Sequence, residues 1–255
     1  MVMKRRVRLF EGRSKIVYEG PKPQTNILFF KDDVSNLSAA NREVLDGRGV
    51  LSNRISEHIF TSLKYIGIPT HFIKRLNMRE QLVRAADIIP LKVAVRNAAV
   101  GSLAHRFNLA PGTQLSQSII EFFYKNQKQN YPLVNEDHIT AFNIATTQEL
   151  DDIIQYAMRI NDFLVGFFAS VNLQLLDFKL EFGRLYYGNI MQIMLVDDLS
   201  PENIRLFDTK NNQFLTSNLA IETTPNMFYY TTIANRLGLL HESERPKTFT
   251  PYLVP

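Results

Sequence analysis

DFKLEFG (177–183), answered across a Gly188-Asn189 turn signal by IMQIMLVDDL (190–199), decides how this chain is read. Successive side chains on a strand point to opposite faces. Asp177, Lys179 and Glu181 therefore share one face, and Phe178, Leu180 and Phe182 share the other, which reads as a core face. The charged face lines up two carboxylates and an ammonium, which are costly to bury unless paired or bound to an ion. The answering strand ends in two more acids, Asp197 and Asp198. Carboxylates gathered at the end of one hairpin fit a magnesium–nucleotide site, because hard cations choose oxygen ligands. They fit equally a solvated face laced with surface ion pairs.

Register bears on that choice. With a simple two-residue loop at Gly188-Asn189, Lys179 falls opposite Asp198, Glu181 faces Val196, and Asp197 points to the apolar side. One bulge or an odd-length loop shifts the pairing by one residue. Asp197 then lies opposite Glu181, and the two can share a cation. The shifted register is the expectation.

The chain has 255 residues, enough for one large domain or two modest lobes. A hydrophobic share of 45% is ordinary for a globular protein. With no cysteine, disulfides and thiolate metal sites are excluded. The N-terminal MVMKRRVRLFEG lacks the apolar run of a signal peptide, and no stretch approaches a membrane span. A cytoplasmic location and no membrane partner are expected. Net charge is +4, with a sequence pI near 9.2, a mild excess that suits anionic small substrates. Lys4, Arg5, Arg6 and Arg8 form the only dense basic cluster, too short to argue for nucleic acid.

SKIVYE (14–19), NILFFK (26–31), THFIKR (70–75) and LKVAVRN (91–97) read as strands. Leu51, Ile55, Ile59, Leu63 and Ile66 form a helical stripe closed by Gly67 and Pro69. A second stripe, from Ile153 through Ile160 and Leu164 to Val171, follows a Thr146/Glu149 capping pair. A last helix is expected near 226–237. The polar segment 31–49 is long for a loop and reads as a cover for the site. Residues from the short helix after AAVGS (98–102) to about 140 read as a polar, aromatic-bearing stretch. Strands and helices mix without a βαβ rhythm, giving an α+β class with a largely antiparallel sheet.

Eight collinear segments carry a resemblance. They are EGRSKIVYEG (11–20), FKDDVS (30–35), GRGVLSNRIS (47–56), GIPTHFIKRL (67–76), IIPLKVAVRNAAVGSLAHR (88–106), NEDHIT (135–140), LDFKLEFG (176–183) and DDLSPENIRLFD (197–208). Together they resemble the SAICAR synthetase family of purine biosynthesis. The resemblance implies a two-lobed, ATP-grasp/kinase-like fold, with a nucleotide lobe over 1–88 and a substrate lobe over 89–255. It also implies an ATP- and Mg2+-dependent ligase joining L-aspartate to carboxyaminoimidazole ribotide, and a homodimer. Rival readings are a small-molecule kinase on the same nucleotide lobe and a non-catalytic nucleic-acid-binding module.

The same resemblance assigns residues. Gly12, Arg13 and Lys15 stand at the phosphate-binding turn, and the backbone near Asp87 and Ile88 at the adenine. Glu181 and Asp197 are the magnesium-linked carboxylates. Lys179 neutralises charge on the transferring phosphate or the substrate carboxylate, with Asp177 either a contact on the substrate side or an acid standing behind the contacting residues. Arg96, Ser102 and Arg205 hold the ribotide, although Arg96 by itself reads as a surface ion pair at a strand end. Asp33 and Ser35 are candidates for aspartate, and His138 reads as structural. The chain departs from the family pattern at Glu202, where Asp is usual, and at Lys92, where Glu is common. KNQKQNYP (125–132) also lacks the family's acids.

Overall fold

The computed structural model describes residues 6–35, 42–215 and 227–240. The chain opens with β1 (Arg8–Glu11), β2 (Lys15–Glu19) and β3 (Thr25–Phe30). A short ribbon follows, β4 (Asp33–Ser35) with β5 (Arg42–Val44), then α1 (Arg48–Tyr65), β6 (Phe72–Arg75) and β7 (Glu80–Arg84). These strands make a five-stranded sheet in the order β1-β2-β3-β7-β6, with the ribbon apart from it. Neither β1 nor β7 stands out in the sequence. Both are too short and too charged to show an apolar alternation.

The second half runs β8 (Asp87–Ile88), β9 (Leu91–Ala99), α2 (Ser102–Phe107), β10 (Thr113–Tyr124), β11 (Leu133–Val134), α3 (Glu136–Ala141) and α4 (Thr147–Ala169). Next come β12 (Leu173–Tyr187), β13 (Ile190–Val196), β14 (Ile204–Asp208), β15 (Gln213–Leu215) and α5 (Met227–Arg236). Their sheet is ordered β11-β10-β9-β12-β14-β15, with β13 and β8 also on β12. Every ladder between named strands is antiparallel, so the α+β class holds. The polar stretch before residue 140 holds a strand the sequence reading missed, the twelve-residue β10. Its outer half is exposed and polar, which hides the alternation of its inner half.

The hairpin register corrects the expectation. Tyr187 faces Ile190 and Glu181 faces Val196, the unshifted two-residue pairing, with Gly188 at φ 60. Asp197 nevertheless escapes the core. β13 stops at Val196, and Asp197 takes a left-handed φ of 63, which turns its side chain away from the apolar face. The bulge lies elsewhere, between Leu175 and Asp177 on the β12–β14 ladder. Leu175 and Phe178 both enter the main core, while Leu176 joins Ala98 and Val100. The irregularity therefore re-aims Asp177, as bulges beside functional sites do.

One large core joins α1, α4, α5, β9 and β12 through β14, whereas Leu28, Phe30 and Val83 form a separate small cluster under the five-stranded sheet. Gly49 in α1 passes so close to the Phe30 carbonyl that a Cβ there has no room. The Asp32 carboxylate accepts from the Gly49 N–H at 2.8 Å and is held by both terminal nitrogens of Arg79 at 2.7 and 2.6 Å. α4 begins with the capping box read from the sequence, Thr146 with Glu149. Its Leu164 is fully buried. Replacing Leu164 with Ala is expected to cost about 2–5 kcal/mol of folding stability. Urea unfolding measures it, and a change below about 1 kcal/mol contradicts this packing.

Candidate active site

The charged face of β12 is completed by its neighbours. Asp177 pairs with Arg96 on β9 and with Arg205 on β14, and Lys179 and Glu121 both face Ala94, from β12 and β10. Four strands thus bring their charges to one side of the sheet. Arg96 is 1% exposed and stands within β9, not at its end, so the surface ion-pair reading is overturned. Its Nε donates to Glu121 at 3.0 Å, Nη1 donates to Asp177, and Nη2 donates to Ser102 Oγ at 3.2 Å. Arg205 Nη1 donates to the same Asp177 oxygen at 3.1 Å, and Arg106 donates to Glu121. Three guanidinium groups therefore meet two carboxylates.

Gly101 is needed here. A Cβ on it would lie 2.5 Å from Arg205 Nη1, and its φ is 55. Lys179 sits beside this cluster without a carboxylate in bonding range among the described residues. Burial, reinforced by Arg205, pulls its ammonium down to about 8.

The other end of the charged face meets the small sheet. Lys15, on β2, donates to both Asp197 and Asp198. The two carboxylates oppose its burial and hold its pKa above the ordinary lysine value. Asp198 is pushed up to about 6 by burial, with Asp197 and Glu202 adding to the shift. The Asp197 carboxyl, despite its burial, lies below its ordinary value because Lys15 and the more distant Lys125 and Lys92 favour the anion. Glu181 is raised by burial and by Asp197, and it accepts from Lys125 Nζ at 2.5 Å. Lys92 Nζ stands 4.0 Å from Glu181 and 4.8 Å from the Tyr131 ring centroid. Behind Asp197, the buried His71 places Nε2 2.8 Å from the Asp197 carbonyl, and burial lowers its pKa to about 4.

The remaining candidates lie around this centre. Gly12 to Lys15 form the tight β1–β2 turn, closed by the Gly12 N–H to Lys15 C=O bond at 2.8 Å, with Arg13 exposed on it. Asp87 and Ile88 form the exposed β8, which pairs with β12 in the larger sheet and lies in the chain between the two sheets. Asp33 is taken by Lys31 at 2.7 Å, and the Ser35 side chain lies outside the described residues. His138 is structural: its ring accepts from the Asn135 N–H in the α3 capping box. Glu202 accepts from Arg48 at 2.5 Å and from Ser52 at 3.0 Å. Of the N-terminal basic cluster, the described Arg6 and Arg8 pair with Glu80 and Glu11.

Sequence reasoning missed Glu121, Arg106 and His71 as parts of the site. An acid inside the apolar run IIEFF (119–123) was the available signal for Glu121. His71 carries none, because its partner Asp197 lies 126 positions away, and Arg106 carries none of its own, its partner Glu121 lying on the next strand, 15 positions on.

A family model described as SAICAR synthetase matches residues 8–220. The chain is 53% identical over 253 residues to the phosphoribosylaminoimidazole-succinocarboxamide synthase of Bartonella quintana (strain Toulouse), covering 99% of this chain and 100% of that protein. It is 51% identical, over 99% of each chain, to phosphoribosylaminoimidazole-succinocarboxamide synthase A of Bradyrhizobium diazoefficiens. The crystal structure of the Ehrlichia chaffeensis synthase aligns with a TM-score of 0.86 at 36% identity, over 92% of this chain and 100% of that one. A SAICAR synthetase (Type-2) in complex with ADP aligns with a TM-score of 0.84 at 30% identity, over 94% of this chain and 99% of that one. On this whole-length similarity, the chain belongs to the SAICAR synthetase family.

Proposed function

We propose that this protein joins L-aspartate to the carboxylate of carboxyaminoimidazole ribotide, spending ATP and giving SAICAR, ADP and phosphate. The observation that carries this reading is the full-length family match. A carboxylate is a poor electrophile. Transfer of the ATP γ-phosphoryl group to one of its oxygens makes an acyl phosphate and releases ADP. The aspartate amine then attacks the acyl carbon, the amide forms, and phosphate leaves. The protein's part is to position the reactants, neutralise charge and exclude water.

Arg96, Arg205 and Ser102 are suited to hold the anionic ribotide. Three guanidinium groups against two carboxylates leave a surplus of positive charge that an anion completes. Asp177 is spent on orienting the two arginines, so it acts on the substrate through them. Lys179, without a carboxylate partner among the described residues, is the cation for the transferring phosphoryl group. The aspartate amine loses its proton to substrate or solvent, since His138 is locked in its cap. We assign the nucleotide to the small sheet, with Lys15 on its phosphates and the Asp87–Ile88 backbone beside its base. The lobes then divide near residue 88, and Asp33 and Ser35 stand as aspartate candidates.

The carboxylates fit a magnesium ion. Asp197 and Glu181 lie within electrostatic reach of each other, and each already faces an ammonium group where a cation is accepted. A nucleotide-bound Mg2+ needs only one or two protein carboxylates. Such an ion would supply charge neutralisation on the phosphates, with Glu181 and Asp197 holding it. A cytoplasmic homodimer completes the proposal.

Three outcomes test it. Phosphate release with ATP and ribotide is expected only once L-aspartate is added, and phosphorylation of an alcohol acceptor instead would indicate a kinase. Arg96→Ala is expected to weaken ribotide use by roughly 2 kcal/mol or more, read as a raised ribotide KM, because it breaks a buried charged pair. Glu181→Gln is expected to raise the magnesium needed for half-maximal turnover, and an unchanged magnesium curve contradicts its role.

A further inference from the structure

GIPTHFIKRL (67–76) resembles the family, yet the proposed chemistry uses none of it. The structure gives part of it a task. Leu195 donates its N–H to the Pro69 carbonyl at 2.9 Å, and His71 donates its own N–H to the Leu195 carbonyl at 2.9 Å. An isolated parallel bridge joins Thr70 to Leu195. The segment therefore grips β13 at its last residues, just before the chain turns at Asp197. The His71 backbone is fixed from its other side as well, where its carbonyl accepts from the Arg84 N–H at 2.8 Å. Its ring packs against Phe60, with centroids 5.7 Å apart.

From this anchored position His71 Nε2 reaches the Asp197 carbonyl at 2.8 Å. A carbonyl oxygen only accepts, so Nε2 must carry the proton. Asp197 is held at a φ of 63, a conformation that L residues with a Cβ adopt at a cost. Something must over-determine it.

We propose that His71 is a positioning residue for the nucleotide site: its Nε2–H fixes the Asp197 peptide in the left-handed turn that presents the Asp197 carboxylate beside Lys15. This rests on the nucleotide assignment made above. Without the bond, the Asp197 carbonyl loses its His71 donor, and the turn is left to the Lys15 ion pair. His71 touches no substrate and takes no part in proton transfer.

Two independent measurements test it. In the wild-type protein at neutral pH, long-range 1H–15N NMR of the histidine rings is expected to show His71 as the Nε2-protonated tautomer. An Nδ1-protonated ring overturns the proposal without any variant. Calorimetric ADP binding, with and without Mg2+, is then compared across His71→Phe, which keeps a ring but no donor, and His71→Gln, whose Nε2–H2 restores one. The Phe variant is expected to bind magnesium–ADP at least tenfold more weakly, the Gln variant within about threefold of wild type, and ribotide affinity is expected to be unchanged in both. A folded Phe variant with wild-type affinity, or equal losses in Phe and Gln, sinks the proposal. If the Phe variant does not fold, the tautomer and the Gln variant still decide. Failure of the wild-type protein to bind ADP at all would instead remove the nucleotide assignment.

Discussion

Asp177 buried between two guanidinium groups is the interaction on which the site depends. A lone carboxylate at that depth is costly, and two arginines without it repel each other. Because Arg96 comes from β9 and Arg205 from β14, the shared acid on β12 fixes three strands with respect to one another. Glu121 extends the lock to β10 through Arg96 and Arg106. The arrangement favours fixed geometry over maximal stability, since an apolar patch of equal size often packs as well.

The two sheets are unequal partners. The small one encloses only Leu28, Phe30 and Val83 as its own buried cluster, while α1 puts its apolar stripe into the large core. The small sheet also leans on polar contacts. The Lys15 contacts to Asp197 and Asp198, and the hold of residues 69–71 on Leu195, tie it to the end of the hairpin. The small sheet is thus tied to the hairpin's end by ion pairs and backbone hydrogen bonds, while the large core packs against the larger sheet.

The sequence was legible wherever pattern and chemistry coincided. The face alternation of 177–183, the α1 stripe from Leu51 to Leu63 and the Thr146/Glu149 cap reappear in the structure, while Ile66 falls beyond α1 and is exposed. It misled where one backbone dihedral outweighed the pattern. Alternation sends Asp197 into the core in the observed register, and only a left-handed residue rescues it, for which an aspartate is a weak local cue. Glu121 was hidden because β10 is half exposed, so its alternation fades outside the sheet interior. Arg96 looked like a surface residue because burial of a guanidinium needs partners some 25 and 81 positions away, which no local window contains.

The place of β12 in the sheet has a kinetic side. It pairs with β8, β9, β13 and β14, and only β13 lies next to it in the chain. Closing the loop back to β9 spans more than half of the larger sheet's sequence, although β10 pairs with β9 inside that span. The hairpin with β13 is local, whereas the charged face takes its neighbours from β9, earlier in the chain, and β14, later in it. Arg96 joins Glu121 across 25 positions and Arg205 joins Asp177 across 28, whereas the Arg96–Asp177 link spans 81, so uniting the two halves of the charged face carries the largest loop-closure cost.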